Sequence, residues 1–175
     1  MIIIKYKDLK TPQDLYFFMK ENIKYGFVNQ NGTIIPRKGT PEVYYMEELF
    51  RNYYFQSPKE LLMNKCGICY DQNELMKEWL LEHNYEVKTY YSPIRNHSII
   101  VYKKDNKYYW IERTFKDAIG IHDFSNLLDL FEFYLFTQDS EYKNTVLYEY
   151  NINNYGCNFY EYICKAKEGK IVLKK

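Results

Sequence analysis

Apolar residues recur every three or four positions over several stretches of the chain, which is the pattern of helices with one buried face. The central stretch is the most regular, and its buried side consists of Leu75, Met76, Trp79, Leu80 and His83. Counting back along the same side reaches Gln72 and then Cys69. The pattern therefore predicts a helix that begins near Cys69 and turns this thiol towards the protein interior.

Two further helix starts carry strong local signals. Thr11 and Ser57 are each followed by a proline, which places a capping hydroxyl before a residue suited to the first helical turn. Glu60 adds the carboxylate of a capping box to the second start. The first of these helices is expected to end at residues 25–26, and the second to lead into the central helix. Helices are also predicted over residues 41–54, 126–136 (with Ser125 as the cap) and 158–167.

Hydrophobic and polar positions alternate after the central helix, which predicts an antiparallel sheet. Its strands are expected over residues 86–92, 97–103 and 108–115. Further short strands are predicted over residues 145–152 and 171–173, a hairpin turn at residues 31–32, and a strand or an ordered tail at residues 2–6. Helices packed on an antiparallel sheet define an α+β fold. No repeat or linker divides the sequence, so residues 1–175 are predicted to form a single domain.

The hairpin between the second and third strands of this sheet allows a geometric test of His97 and Glu112. If its loop has two or four residues, the two side chains lie on one face of the sheet, directly opposite or one diagonal step apart. Their Cβ atoms are then ~4.5–8 Å apart, and side chains of this length can meet. A three-residue loop would place them on opposite faces. Asp105-Asn106 is a plausible two-residue turn.

Nucleophilic catalysis by a thiol requires three side-chain roles, which could be filled by Cys69, His97 and Glu112. Unpaired backbone N–H groups and the helix dipole favour a thiolate at a helix start. A cysteine nucleophile needs an imidazole to take its proton or to stabilise the thiolate. A carboxylate fixes the orientation of that imidazole and stabilises its protonated form. The three residues are therefore the candidate catalytic set.

Composition gives no indication of several classes of function. Hydrophobic residues make up 46% of the chain and charged residues 27%, an ordinary globular balance, and the formal net charge is +1. This balance does not indicate nucleic-acid binding or an anionic membrane surface. No apolar run approaches ~20 residues, so no membrane span is predicted. The apolar start of the chain is too short for a secretion signal, and we therefore expect reduced cysteines and a cytoplasmic location.

Three motifs resemble those of the transglutaminase-like superfamily, in the same order along the chain. Residues 67–71 (Gly-Ile-Cys-Tyr-Asp) resemble its nucleophile motif, residues 97–102 its histidine strand and residues 109–112 its acid strand. The resemblance covers residues 57–115. A weaker resemblance of residues 25–27 and of the helix starting at Ser57-Pro58 points to a compact bacterial subgroup. The usual acid in the family is Asp, and Glu112 is a departure whose longer arm affects how the imidazole is oriented.

The resemblance implies a papain-like fold, with a cysteine-bearing helix packed on an antiparallel sheet that carries the histidine and the acid. It also implies acyl transfer on protein or peptide amides through a Cys69-His97-Glu112 triad, as in peptidases, deamidases and cross-linking enzymes. No cofactor and no metal-ligand residue are assigned from the sequence, and metal dependence is left open. The substrate would carry an amide carbonyl. Whether water or an amine accepts the acyl group is left open.

The oxyanion site needs hydrogen-bond donors ~2.7–3.1 Å from the developing charge. The backbone N–H of Cys69 is the expected first donor. Candidates for a second donor or a substrate contact are Tyr25, Gln56 and Gln72, and Trp110 is expected in the core or in a cleft wall.

Three alternatives from other classes remain at this point. Cys66 and Cys69 form a Cys-x-x-Cys pair before a helix, the format of thiol–disulfide redox proteins. Cys66 and Cys69 with Cys157 and Cys164 would supply four thiolates for zinc. The chain could also be a binding module that keeps the fold without turnover.

Overall fold

The computed structural model describes residues 5–137 and 145–174. These residues contain two short 3₁₀ turns, α-helices and strands. The helices are α1 (Pro12–Asn22), α2 (Glu42–Asn52), α3 (Pro58–Asn64), α4 (Cys69–Glu82), α5 (Leu127–Thr137) and α6 (Phe159–Lys167). The strands are β1 (Lys24–Asn29), β2 (Ile34–Pro36), β3 (Tyr53–Tyr54), β4 (Cys66–Gly67), β5 (Glu86–Ser92), β6 (His97–Lys104), β7 (Lys107–Glu112), β8 (Gly120–Phe124), β9 (Val146–Tyr150) and β10 (Lys170–Lys174). The predicted α+β class is confirmed. Most of the expected element at residues 2–6 lies outside the described residues.

The larger sheet is antiparallel and has the strand order β10-β9-β5-β6-β7-β8. Asp105 and Asn106, with φ of 49° and 59°, form a two-residue turn between β6 and β7, in which Lys104 pairs with Lys107. The predicted even-numbered loop is therefore confirmed. Continuing this register places His97 one diagonal step from Glu112 on the same face of the sheet.

Each face of this sheet is covered by helical side chains. On one face, Ile100, Tyr102 and Ile111 join the buried side of α4, as its helical pattern predicts, together with residues of α1. On the other face, Val101 and Trp110 join a cluster that includes residues of α5. Burying an apolar side chain of this size contributes about 1.5–3 kcal/mol, so both layers stabilise the sheet. Among the described residues, no helix has both the length and the apolar character needed to cross a bilayer.

A smaller sheet is centred on β1, which pairs antiparallel with β2 and β3 and parallel with β4. Tyr25 pairs with Gly67 in the parallel ladder. The expected helix end at residues 25–26 is therefore wrong, because α1 ends at Asn22 and these residues enter β1. Pairing with β2 and β4 at this position outweighs the local turn signal. A Cβ on Gly26 would lie 2.6 Å from the Sγ atom of Cys66, so only glycine fits there.

Two other boundaries also differ from the sequence predictions. The segment before α5 contains β8, a strand that the sequence pattern did not predict, and β8 pairs with β7 over residues 108–112 and 120–124. Asn126, not Ser125, caps α5, because its Oδ1 atom accepts the backbone N–H of Asp129 at 3.0 Å. Both residue types suit a helix cap, so the local sequence alone did not separate these neighbours.

Replacing Asn126 by Ala is expected to lower the free energy of unfolding by about 1 kcal/mol, because the first turn of α5 loses its side-chain acceptor. This corresponds to a fall in Tm of about 2–4 °C for a domain of this size. Ser125→Ala is the matched control and is expected to leave Tm unchanged. Equal losses in the two variants, measured by thermal and urea unfolding, would contradict the assignment of Asn126 as the cap.

Candidate active site

Cys69 is the first residue of α4, and the chain reaches it through a tightly packed turn. A Cβ on Gly67 would lie 2.6 Å from Leu61 Cδ1 and 2.8 Å from Asp71 Cβ, so this approach requires glycine. The Oδ2 atom of Asp71 accepts the backbone N–H of Ile68 at 2.9 Å and closes the first turn of the helix. The thiol is 6% exposed and lies at the end of α4 where backbone N–H groups are unpaired.

Asp71 joins three segments below the thiol. Its Oδ1 atom accepts the hydroxyl of Tyr53 at 2.9 Å and the backbone N–H of Gln56 at 3.0 Å. Burial raises the pKa of Asp71 from 3.8 to about 7, although these hydrogen bonds and that of Ile68 oppose the rise. This carboxyl group therefore fixes the start of α4 against β3 and the loop before α3.

Tyr70, the residue after Cys69, ties the start of α4 to the start of β6. Its hydroxyl donates to the carbonyl oxygen of Asn96 at 2.6 Å, and the hydroxyl of Tyr91 donates to Oδ1 of the same asparagine at 2.7 Å. Asn96 has a φ of 47° and directly precedes His97. The two tyrosines therefore set the position of His97 relative to Cys69.

His97 is buried between the thiol and a carboxylate. Its Nε2 atom lies 2.9 Å from Oε2 of Glu112, and its ring also interacts with the side chain of Cys69. Burial alone would lower the pKa of His97, but the charges of Glu112 and Cys69 and the hydrogen bonds to both outweigh it and raise the pKa from 6.5 to about 10. The arrangement therefore favours an imidazolium beside an ionised Glu112.

Glu112 is held at its other oxygen by the chain that follows β7. Its Oε1 atom accepts the backbone N–H groups of Arg113, Thr114 and Phe115 at 2.9, 2.7 and 2.9 Å, and the Thr114 hydroxyl at 2.9 Å. Burial would raise the pKa of Glu112, but His97 and these backbone donors together lower it well below its usual value. Residues 113–115 were expected to continue the strand and were not recognised as this anion-binding turn.

Tyr134 of α5 forms a wall of the site that the sequence did not indicate. Its ring stacks on that of His97, with centroids 6.4 Å apart and planes at 14°. Trp110, a predicted site residue, lies in the core behind this wall, edge-on to Tyr134 at 5.5 Å and fully buried. Helical spacing predicted α5 but did not show which residue of α5 would face His97.

The candidate oxyanion donors differ in their surroundings. Gln72 donates to the carbonyl of Gly67 at 2.7 Å, and Gln56 donates to the carbonyl of Cys66 at 2.9 Å, so both amide groups are engaged with the backbone. Tyr25 is 39% exposed, but its hydroxyl end is enclosed. Burial of this end, followed by the charge of Cys69, raises the pKa of Tyr25 well above its usual value. Its hydroxyl therefore stays neutral, and of the three candidates it is the best suited to be the second hydrogen-bond donor to the oxyanion.

The remaining cysteines give no support to the redox and zinc alternatives. Burial raises the pKa of the Cys66 thiol to about 11, which disfavours the thiolate that a redox pair requires. Within residues 5–137 and 145–174, no three His, Cys, Asp or Glu side chains form a cluster that could hold a metal ion. His83 stacks on Trp79, and His122 contacts the carbonyl of Ala118, so both rings make contacts of the kind that stabilise a fold.

The fold and the site together define a papain-like, cysteine-based domain. A family model described as a transglutaminase-like domain matches residues 3–129, and the chain belongs to this family. The matched range includes Cys69, His97 and Glu112 and ends before Tyr134. No curated protein matches the sequence.

Replacing Glu112 by Gln is expected to lower the pKa of His97, because the carboxylate is the largest of the influences that raise it. The imidazole of the wild-type protein should stay protonated at pH 8, whereas that of the variant should titrate at a lower pH. The measurement is an NMR titration of the assigned His97 ring. Glu74→Gln, which removes a buried carboxyl group from α4, is the control and should leave the His97 titration unchanged.

The same pair sets a pH dependence of stability. The raised pKa of His97 stabilises the fold fully below pH 6.5, and this contribution is lost as the pH rises through about 10. The lowered pKa of Glu112 stabilises the fold fully above pH 4.5, and this contribution is lost in acid. The stability difference between wild type and Glu112→Gln should therefore be largest between pH 4.5 and pH 6.5, where both contributions are fully present. A wild-type His97 that titrates near 6.5 would refute the buried ion pair.

Replacing Tyr70 by Phe is expected to cost about 0.5–1.5 kcal/mol of stability through the lost hydrogen bond to Asn96 and to slow alkylation of Cys69 by iodoacetamide. Tyr162→Phe is the matched control, because Tyr162 stacks on Tyr70 at 4.0 Å and bonds instead to the hydroxyl of Tyr150. The control should lose comparable stability without slowing alkylation. Equal alkylation rates in both variants would show that Tyr70 does not position the thiol against His97.

Proposed function

We propose that this protein is a thiol-dependent acyltransferase or hydrolase acting on amide groups of proteins or peptides. The observation that supports this most directly is the buried series of Cys69, His97 and Glu112, in which Nε2 of His97 lies 2.9 Å from Oε2 of Glu112 and the side chain of Cys69 acts on the same imidazole. Each member has a partner that orients it, and the last is fixed by three backbone N–H groups. Such a series is the arrangement that nucleophilic catalysis by cysteine requires.

In the first half of the proposed reaction, the thiolate of Cys69 attacks the amide carbonyl carbon, and a C–S bond forms as the carbonyl electron pair moves to oxygen. The tetrahedral intermediate then collapses, the C–N bond breaks, and His97 donates its proton to the leaving amine. The product is a thioester on Cys69. The enclosed imidazolium supplies this proton without one from solvent, and proton transfer of this kind contributes about 10²- to 10⁴-fold to rate.

In the second half, water or a primary amine attacks the thioester carbonyl while His97 accepts its proton. The new C–O or C–N bond forms, the C–S bond breaks, and the thiolate and the imidazolium are restored. Water would give hydrolysis or deamidation, and an amine would give a cross-link. Both outcomes would use the same three residues. The two reactions would differ only in whether water or an amine accepts the acyl group.

The backbone N–H of Cys69 is the proposed first donor to the oxyanion, because the first residue of a helix has no intrahelical partner for this group. The hydroxyl of Tyr25 is the proposed second donor. Tyr25 is positioned next to Gly67 by the parallel pairing of β1 with β4, two residues before the nucleophile. The charge of Cys69 is among the causes that raise the pKa of Tyr25, which supports a position close to the sulfur.

Iodoacetamide is expected to alkylate Cys69 faster than a free peptide thiol, and His97→Gln should abolish the excess. In a coupled assay with a glutamine-containing polypeptide, ammonia release and incorporation of a fluorescent amine should both be lost in Cys69→Ser and should fall at least about 10²-fold in His97→Gln. Cys66→Ser is the control and should keep the activity. Alkylation no faster than that of a free thiol would refute the catalytic proposal in favour of a silent binding module, and dithiol cycling lost in both cysteine variants would favour a redox protein.

A further inference from the structure

A groove of about 630 Å³ lies along the start of β1 and the end of β2. It is lined by Lys24, Tyr25, Pro36, Arg37 and Lys38. This volume lies within the range of about 300–1,000 Å³ that accommodates ligands of the size of a few residues. Tyr25 belongs both to the groove and to the surroundings of Cys69, because it pairs with Gly67, two residues before Cys69, and the charge of Cys69 contributes to its raised pKa. Tyr25 therefore connects the groove with the surroundings of the thiol.

The walls of the groove are held by backbone pairing and not by loops alone. Lys24 and Tyr25 pair with Cys66 and Gly67 in the parallel ladder that leads to the thiol. The backbone N–H of Arg37 donates to the carbonyl of Tyr25 at 2.9 Å and joins the opposite rim to the same strand. The backbone on both sides of the groove is thus joined to the segment that leads to the nucleophile.

Three of the five lining residues are cations, and none is acidic. Arg37 is paired with Glu42 and lies over the ring of Tyr45 at 4.8 Å, so its charge is partly compensated. Lys24 and Lys38 are exposed, and neither has a carboxylate within 4.0 Å among the described residues. The formal net charge of the whole chain is only +1, so this concentration of positive charge is local.

We propose that this groove is the substrate subsite and that it selects an acidic peptide segment, whose carboxylates pair with Lys24 and Lys38 while the adjoining amide lies at Cys69. The inference rests on the proposed function for the position of the scissile amide, but the charge preference of the groove has its own test. Uncompensated cations beside a preformed site favour anionic ligands through complementarity and faster encounter. A groove that already contained its own carboxylates would show no such preference.

The test uses three chloroacetamide-bearing peptides of equal length whose flanking residues are acidic, neutral or basic. The Cys69 thiolate displaces chloride, and the second-order rate of labelling at Cys69 is measured by mass spectrometry. This readout reports docking at the thiol and does not require turnover. The wild-type protein is expected to react fastest with the acidic peptide and slowest with the basic one.

Lys24→Gln and Lys38→Gln are each expected to slow labelling by the acidic peptide about 1.4- to 5-fold, the range typical of one exposed charge pair. The double variant should lose most of the preference. Raising the salt concentration from about 0.1 M to about 1 M, where the Debye length falls from ~10 Å to ~3 Å, should weaken the wild-type preference in the same way. Lys104→Gln is the matched control, because it removes one exposed lysine at the far end of β6 from His97.

Iodoacetamide, which carries no charge and does not fill the groove, separates the two proposals. Unchanged iodoacetamide rates in Lys24→Gln and Lys38→Gln, together with unchanged Tm, would show that their effect is on docking. Equal rates for the acidic, neutral and basic peptides with a reactive Cys69 would overturn the groove proposal alone. A Cys69 that iodoacetamide alkylates no faster than a free thiol would overturn the catalytic proposal, and the ranking of the three peptides would still decide the charge preference of the groove.

Discussion

The ion pair between His97 and Glu112 is the interaction on which the site depends. Two charges buried at 2.9 Å carry a large desolvation cost, and such a pair persists only where further hydrogen bonds complete it. Here the completion comes from three consecutive backbone N–H groups and one hydroxyl on the second oxygen of Glu112. The chain that leaves β7 therefore keeps Glu112 ionised, and the ionised carboxylate keeps His97 protonated and in one orientation.

The polar groups around the site connect its elements to one another. Asp71 joins the start of α4 to β3 and to the loop before α3, and Tyr70 joins the same helix start to the residue that precedes His97. Each of these contacts crosses between elements far apart in the sequence, so a shift of one element would be transmitted to the thiol or to the imidazole. The site is consequently positioned by several elements and by no single loop.

The part of the chain that matches the family model contains most of the candidate site. The match ends at residue 129, within α5, and includes the three candidate catalytic residues and the whole of the cationic groove. The later elements, β9, β10 and α6, extend the larger sheet and cover the aromatic cluster behind Tyr70. Tyr134 lies just past the matched range, and its ring stacks on His97. The proposed chemistry therefore belongs to the family core, while part of its enclosure comes from residues outside the match.

Local patterns in the sequence were sufficient for the α+β class and for a helix that begins near Cys69, and they made plausible the two-residue turn that places His97 and Glu112 on one face. These features depend on helical periodicity and on strand parity, which neighbouring residues determine. Only the tertiary structure decided that residues 25–26 form a strand beside Gly67, that residues 113–115 turn to hold Glu112, and that Tyr134 faces His97. Each of these depends on pairing or packing between segments distant in the chain. Local propensity does not encode such contacts, because the competing conformations of each segment differ little in free energy until its partner is in place.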